Sequence, residues 1–348
     1  MLVVVLHSGH FRVKYGVMFS RITVIGDGAM GSVCAMMLCE TGLDVTMWGH
    51  DAGQLAQTAS KRENTLFLPG HKLPESLNFQ ADDASAMTDA QLIVSAVPCQ
   101  FMRRVWLRLK EHTPRGVPIV SVTKGIENDT LLRPTEILAD VLGAGHEYAT
   151  LSGPTIADEL ADHLPATATA ASTDDDLARD VQYTFNSPNF RVYTNNDLLG
   201  VELCGAVKNV IAIAAGIIDG RGLGDNAKAA LLTRGLAEIE RLGLAMGAKE
   251  QTFAGLSGLG DLVTTCISPK GRNRSFGERV GRGMSAQEAL AATQSVVEGV
   301  ATCASVLSLA RQYDVEMPIS RAIGEIISGE KSVKEALKDL MSRRLRAE

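Results

Sequence analysis

Lys208 is the only charged residue in the sixteen-residue apolar run Leu203–Ile218. An isolated ammonium in such surroundings is costly, so it is paired, its pKa falls, or its head reaches water from a buried stem. A lysine at its ordinary pKa of about 10.4 is a poor base at neutral pH, whereas one lowered to roughly 7–8 exchanges a proton readily. The residues leave both the buried base and the solvent-seeking lysine open. Further on, Gly255, Gly258 and Gly260 crowd ahead of Asp261, which opens an apolar helix start. An N-cap would account for the aspartate but not for the glycines; a site residue would account for both. Arg272-Asn273-Arg274 follows within Ser268–Gly277, either as a solvated basic loop or as an arginine fork suited to bidentate capture of a small phosphorylated substrate. Gly153-Pro154-Thr155 at a helix entry offers free N–H groups to an anion or a nicotinamide amide, with a Pro-initiated helix as the plainer reading.

A second constellation is the run Arg21–Gly31, a strand entering Gly26-Asp27-Gly28-Ala29-Met30-Gly31 and then a helix. Gly26 allows the tight turn, Gly28 admits a pyrophosphate to the backbone, and Gly31 permits close helix–strand packing. The helix N-terminus then presents unpaired N–H groups to the phosphates. A second strand ending at Trp48 completes a βαβ unit, which lifts the pattern above a merely structural glycine turn. NAD-selective sites place an acid at the end of that second strand. Here Gly49-His50-Asp51 follows Trp48, so the acid is displaced and Gly49 leaves room for a 2′-phosphate. His50, Lys61 and Arg62 are candidate positive partners, against a solvated Lys-Arg pair. The expected cofactor is NADP or NAD, with NADPH accepted at least as well as NADH.

These residues must be carried by regular elements. Strand patterns fall at Arg21–Ile25, Asp44–Trp48, Leu92–Val97, Pro118–Val122 and Ala149–Leu151, with Ala166–Ala171 and Phe190–Tyr193 expected at a sheet edge. Helical stretches such as Gly31–Thr41 and Phe101–Glu111 intervene, which predicts a Rossmann-type, doubly wound parallel sheet. From about Leu198 only helical periodicity remains: Val201–Ile218, Asn226–Met246, Ser285–Ala291, Glu298–Tyr313, Pro318–Ser328 and Val333–Arg343. The expected organisation is an NAD(P)-binding domain over 21–197 and an all-helical substrate-binding domain over 198–348. Residues 1–20 read as a dispensable extension with Met18 as the functional start, in preference to a targeting signal: Arg12 and Lys14 follow the apolar run Leu2–Leu6 instead of preceding it, and no small-residue cleavage site is evident.

Composition narrows the function classes. The net charge of −6 argues against nucleic acid as a partner. Leu203–Ile218 is short for a membrane span and is interrupted by Lys208-Asn209, so it predicts a buried helix and no membrane insertion. The cysteines at 34, 39, 99, 204, 266 and 303 form no CxxC pair, so reduced thiols in a cytoplasm are expected, with no metal. All seven histidines lie at or before His163; acid–base chemistry in the helical half must use another residue type.

Taken in order, Gly26–Gly31, Trp48-Gly49-His50, Asn64–Gly70, Val97-Pro98, Thr123-Lys124-Gly125 and Gly153–Glu159 resemble the nucleotide-binding half of the soluble, bacterial-type NAD(P)-dependent glycerol-3-phosphate dehydrogenases. Gly205–Val210, Asn226-Ala-Lys228, Thr233-Arg-Gly235, Gly258–Leu262, Gly271–Gly277 and Val296–Gly299 resemble the second half, of the 6-phosphogluconate-dehydrogenase-like helical type. The resemblance implies hydride transfer between nicotinamide C4 and C2 of dihydroxyacetone phosphate or sn-glycerol 3-phosphate. It further implies a supply of glycerol 3-phosphate for phospholipid synthesis, and it leaves a homodimer open. The family's acid–base lysine falls on Lys208, and its substrate contacts fall on Lys124, Gly153, Thr155, Lys208, Asp261, Gly271, Arg272 and Asn273. Its cofactor contacts fall on Gly26, Gly28, Ala29, Met30, Gly31, His50, Lys124, Ala157, Arg272, Val296 and Glu298, which places the site between the two domains. Three departures stand out: Gly271 where many bacterial members have Ser, Thr155-Ile156 in place of Ser-Phe, and Met30 in place of an aromatic residue. Ketopantoate and 3-hydroxyacid reductases share the domain pair but need no Arg272-Asn273 for a phosphate. A nucleotide-sensing regulator without turnover would need no buried lysine beside Asp261.

Overall fold

The computed structural model describes residues 3–7, 10–14, 19–293 and 296–345. Met18, the start expected from the sequence, lies outside the described residues. Strands β1 (Val3–His7) and β2 (His10–Lys14) pair antiparallel as a hairpin of their own, an element the sequence did not suggest. The remaining strands are β3 (Arg21–Ile25), β4 (Asp44–Trp48), β5 (Asn78–Gln80), β6 (Leu92–Ser95), β7 (Ile119–Ser121), β8 (Tyr148–Ser152), β9 (Ala166–Ser172) and β10 (Phe190–Asn195). They form one sheet in the order β10-β9-β8-β7-β6-β3-β4-β5, parallel except where β9 meets β8.

Parallel strands covered by helices on both faces need apolar residues at every position, not at alternate ones. β6 is buried along its whole length, and β3 is buried from its second residue onward. That continuity made these strands readable. β5 has only three residues, Asn-Phe-Gln, too short and too polar to stand out in the sequence. β6 stops at Ser95, two residues before the sequence pattern suggests, because Pro98 turns the chain into the helix Cys99–Leu109. The strand order reverses at β3, which lies between β4 and β6. The crevice beyond the carboxyl ends of the strands at such a reversal is where open α/β sheets bind ligands.

Among the described residues no strand follows β10. The long helix Leu198–Arg221 runs through the centre of the second half, with every residue from Gly200 to Ile217 buried. Its first turn is held by Asp197, whose carboxylate accepts from the Gly200 and Lys249 N–H groups and from the Thr252 hydroxyl. The helix is long and apolar enough to cross a membrane, yet 94% of its most apolar window is buried inside the protein. It is a core helix.

The closest packing is with the helix Arg272–Gly281. Gly216 and Gly220 face Gly277 and Gly281, each pair spaced four residues apart and so aligned on one helical face. A Cβ at Gly216 would lie 1.9 Å from the Arg274 carbonyl oxygen, and one at Gly277 would lie 2.0 Å from that of Ile213. The two backbones therefore touch directly. Glycine disfavours helix by about 1 kcal/mol against alanine; contact at this range is what offsets it. The crossing brings Asn273 against Asn209, the residue after Lys208.

Candidate active site

Lys208 does not reach for solvent. It is 5% exposed, and its ammonium donates to Asp261 Oδ1 and, at 2.6 Å, to Thr265 Oγ1. Burial pulls its pKa down to about 8, with the Asp261 carboxylate opposing and the Lys124 ammonium assisting. Asp261 is not an N-cap: it is the first residue of the helix Asp261–Ile267, and its carboxylate faces two lysines. The glycine-rich stretch before it is a wide helical turn, Leu256–Gly260, in which a Cβ at Gly258 would strike the Phe253 backbone. That turn delivers Asp261 into the core of the site.

Lys124 follows β7 and donates to Asp261 Oδ2 at 2.7 Å, to the Gly153 carbonyl at 2.9 Å and to Thr155 Oγ1 at 3.5 Å. The structure thus brings Lys124, Gly153, Thr155, Lys208 and Asp261 together. Room for Lys124 comes from Gly205, one turn before Lys208, where a Cβ would lie 3.3 Å from Lys124 Cγ. Two ammonium groups on one carboxylate leave the pocket positive, a setting for an anionic substrate and for an alkoxide. Gly153-Pro154-Thr155 precedes the short helix Ala157–Ala161 without entering it, so Pro154 does not initiate that helix.

Arg272 is an exposed first-turn residue of a helix, not part of a solvated loop. Asn273 is buried; its Nδ2 donates to Asn209 Oδ1 and its Oδ1 accepts the Gly299 N–H, both at 2.9 Å. Its amide ties three helices together and retains one donor for a ligand. Gly271 offers no hydroxyl, and its N–H donates to the Ser268 carbonyl at 3.3 Å.

At the nucleotide end, the glycine turn leaves β3 at the point where the sheet order reverses. A Cβ at Gly31 would lie 1.9 Å from the Gly26 carbonyl oxygen, whereas one at Gly28 would meet nothing within 4 Å. The turn is closed towards the sheet and open where a pyrophosphate would lie. Ala29 and Met30 form the first turn of the helix Ala29–Glu40, and Met30 packs on the core. His50, Lys124 and Ala157 follow β4, β7 and β8 on the same edge of the sheet. Val296 is exposed just ahead of the helix Glu298–Gln312. Glu298 reaches back to the nucleotide half, where Oε1 accepts the Cys99 N–H at 3.3 Å; its Oε2 is buried without a partner. Burial pushes its pKa up to about 7, with Arg272 opposing and the Cys99 N–H opposing less. A buried acceptor without a partner next to Cys99 and Gly125, together with a glycine turn left open at Gly28, fits a bound dinucleotide. Among the described residues no group of three or more metal-ligating side chains occurs.

Sequence reasoning missed Thr265, although it lies four residues after Asp261 and so on the same helical face. It also missed the pairing of Lys124 with Asp261, which no local pattern announces. Of the positive groups proposed for a 2′-phosphate, Arg62 is turned away. Its guanidinium donates to the Pro74, Glu75 and Leu77 carbonyls and covers the Phe79 ring.

A Rossmann-type sheet with a dinucleotide turn, joined to a helical half that contributes a buried lysine, defines a two-domain NAD(P)-dependent oxidoreductase. Two family models match the chain: the NAD-dependent glycerol-3-phosphate dehydrogenase N-terminus over residues 21–178 and the C-terminus of the same enzyme over 197–338. The protein belongs to that family. It is 46% identical over 333 residues to a glycerol-3-phosphate dehydrogenase [NAD(P)+] of Citrifermentans bemidjiense, covering 95% of this chain and 99% of the relative. It is 45% identical over 332 residues to the enzyme of that name from Streptomyces coelicolor, covering 94% of this chain and 98% of the relative. The crystal structure of the glycerol-3-phosphate dehydrogenase of Coxiella burnetii superposes with a TM-score of 0.90 at 35% identity, covering 94% of this chain and all of that one.

Proposed function

We propose that Lys208 is the proton donor and acceptor in the NAD(P)-dependent interconversion of dihydroxyacetone phosphate and sn-glycerol 3-phosphate. The observation that carries this reading is a buried lysine, with its pKa lowered to about 8, held between Asp261 and Thr265. The glycine turn Gly26–Gly31 would hold the dinucleotide, which when bound would supply or accept the hydride. In reduction, protonated Lys208 gives its proton to the oxygen forming at C2; in oxidation, neutral Lys208 takes the proton from the C2 hydroxyl. Asp261 and Thr265 fix the direction of Nζ, and Lys124 adds positive charge beside the same oxygen. Arg272 grips the phosphate and Asn273 anchors the helix that carries it, so binding energy at the far end of the substrate orients C2.

A division of the chain at 197/198 accompanies this reading, supported by Asp197 capping the helix that holds Lys208. So do glycerol 3-phosphate supply for phospholipid synthesis, a cytoplasmic setting and a homodimer, none of them requiring nucleic acid or membrane insertion. The test is NADH and NADPH oxidation with dihydroxyacetone phosphate against ketopantoate. Faster turnover of the unphosphorylated keto acid would return the protein to the reductases that share its domain pair, and no turnover of either would favour a nucleotide sensor.

The lowered pKa fixes the sign of the pH dependence. Reduction needs the ammonium, so its kcat should fall as pH rises through about 8; oxidation needs the free amine, so its kcat should rise over the same interval. Profiles that are flat between about pH 7 and 9 in both directions would remove Lys208 from the proton transfer.

Arg272→Lys keeps the charge but not the planar fork. Loss of charge-assisted hydrogen bonds worth about 1.5–3 kcal/mol should raise the substrate KM by about tenfold or more. Steady-state kinetics on dihydroxyacetone phosphate check this, and an unchanged KM would place Arg272 outside the phosphate grip.

A further inference from the structure

The acid that NAD-selective sheets carry at the end of their second strand is missing here, and its place is not empty. Asp27 lies between the first two glycines of the turn that leaves β3, the strand next to β4. A Cβ at Gly49, just beyond β4, would lie 2.8 Å from Asp27 Oδ2 and 2.9 Å from its Cγ. The Asp27 carboxylate therefore occupies the space into which a side chain at the strand end would project. Its peptide is fixed there: Asn64 Nδ2 donates to the Asp27 carbonyl at 2.7 Å and to Ser32 Oγ at 2.9 Å. Leu55 closes the other side, its Cδ1 standing 3.0 Å from the same Gly49 Cβ position. Among the described residues no side chain donates to this carboxylate, and no lysine or arginine pairs with it. Its pKa is raised by burial, against the pull of its own backbone N–H; the charge of Asp51 adds to the shift while His50 opposes it.

Two of the other charged groups considered for this corner, Asp51 and Arg62, have partners of their own. Asp51, the acid nearest the strand end in sequence, caps the helix Ala52–Lys61 by accepting the Gln54 N–H at 2.9 Å. Arg62, a candidate partner for a 2′-phosphate, is bound to the carbonyls of Pro74, Glu75 and Leu77. The charges that act on Asp27 are those of Asp51 and the exposed His50, so an adenosine 2′-phosphate beside Asp27 would meet two carboxylates and one imidazole.

We propose that Asp27 is the cofactor-specificity residue of this enzyme, its carboxylate accepting the adenosine ribose hydroxyls and rejecting a 2′-phosphate, so that NADH binds more tightly than NADPH. The inference rests on the dinucleotide site in the glycine turn and reverses the preference that Gly49 alone suggests. Gly49 serves the carboxylate that fills its space and does not make room for a phosphate.

Dissociation constants for NADH, NADPH and 2′-deoxy-NADH, measured by calorimetry on the full chain without substrate, test this independently of turnover. NADH should bind about tenfold or more tightly than either of the others, the range for hydrogen bonds to a charged group. Asp27→Asn should tighten NADPH and weaken NADH, narrowing their ratio by about tenfold at an unchanged melting temperature. NADPH binding as tightly as NADH to the wild type, or no loss on removal of the 2′-hydroxyl, would overturn the assignment even if the variant fails to fold. A ratio unmoved in a folded Asp27→Asn protein would overturn it equally. Failure to turn over dihydroxyacetone phosphate, with these constants as expected, would count against the proposed reaction and leave Asp27 in place.

Discussion

Lys208→Met should lower kcat by at least 10²–10⁴-fold, the range that general acid–base catalysis contributes, with lost stabilisation of the C2 alkoxide adding to it. Methionine keeps the unbranched stem in its apolar slot, so the fold should survive. Removing one partner of a buried ion pair usually strands the other charge at a cost of about 3–5 kcal/mol. Here Lys124 remains on Asp261 Oδ2, so the carboxylate keeps a counter-charge and the melting temperature should change little. The Kd for NADH should stay near the wild-type value, because the glycine turn lies in the other half. Asp261→Asn should behave differently. It leaves two ammonium groups without a carboxylate, pushes the pKa of Lys208 further down, and moves the falling limb of the reduction profile to lower pH. Combined with Lys208→Met it should add little to the loss of turnover, since residues acting as a unit do not contribute separately. Near-normal turnover in a folded Lys208→Met protein would end the proposed mechanism.

The second large effect is structural. Gly277→Ala places a methyl group 2.0 Å from the Ile213 carbonyl oxygen, a contact that only separation of the two helices can relieve. Overpacking costs typically 1–3 kcal/mol and occasionally more. The obstacle here is backbone, which cannot rotate away, so about 3 kcal/mol is expected, or a fall in melting temperature of roughly 4 °C for a chain of 348 residues unfolding as one. The shift should also reach the site, because the same helix carries Arg272 and Asn273 and Asn273 bonds Asn209 beside Lys208. A raised substrate KM should therefore accompany the lower melting temperature. Wild-type values for both would show that the crossing is looser than it looks.

The contrast between these two sites shows what the chain discloses before it is folded. The parallel strands could be read because helices cover both their faces, which makes β3 and β6 nearly continuous apolar runs, broken only by Thr23 and Ser95 after the exposed Arg21. Lys208 could be singled out because a single charge in a long apolar run needs an explanation. Its partners could not: Lys124 and Asp261 are 137 residues apart and meet only because β7 and the wide turn Leu256–Gly260 end at the same place. The four-residue spacing of Gly216/Gly220 and of Gly277/Gly281 is visible in the sequence, but nothing local says that the two pairs face each other. The ribose corner is hard to read for the same reason. Counting along β4 finds Asp51 too late, while the carboxylate at the strand end comes from the turn of the neighbouring strand.

The six thiols, unremarkable as chemistry, give the molecule a built-in clock of its own opening. All are buried, and burial raises the pKa of each, of Cys34, Cys266 and Cys303 to about 12, so almost no thiolate meets solvent while the fold is closed. An alkylating reagent can then react only through transient unfolding, at a rate set by how often each thiol is uncovered. Cys34, Cys39 and Cys99 report from the half that carries the glycine turn; Cys204, Cys266 and Cys303 report from the helical half. Cys99 and Cys204 are the most informative pair, because the first sits where Glu298 crosses over and the second lies one turn before Lys208. Peptide-resolved labelling would thus separate the breathing of the nucleotide site from that of the lysine site, without a probe being added to either.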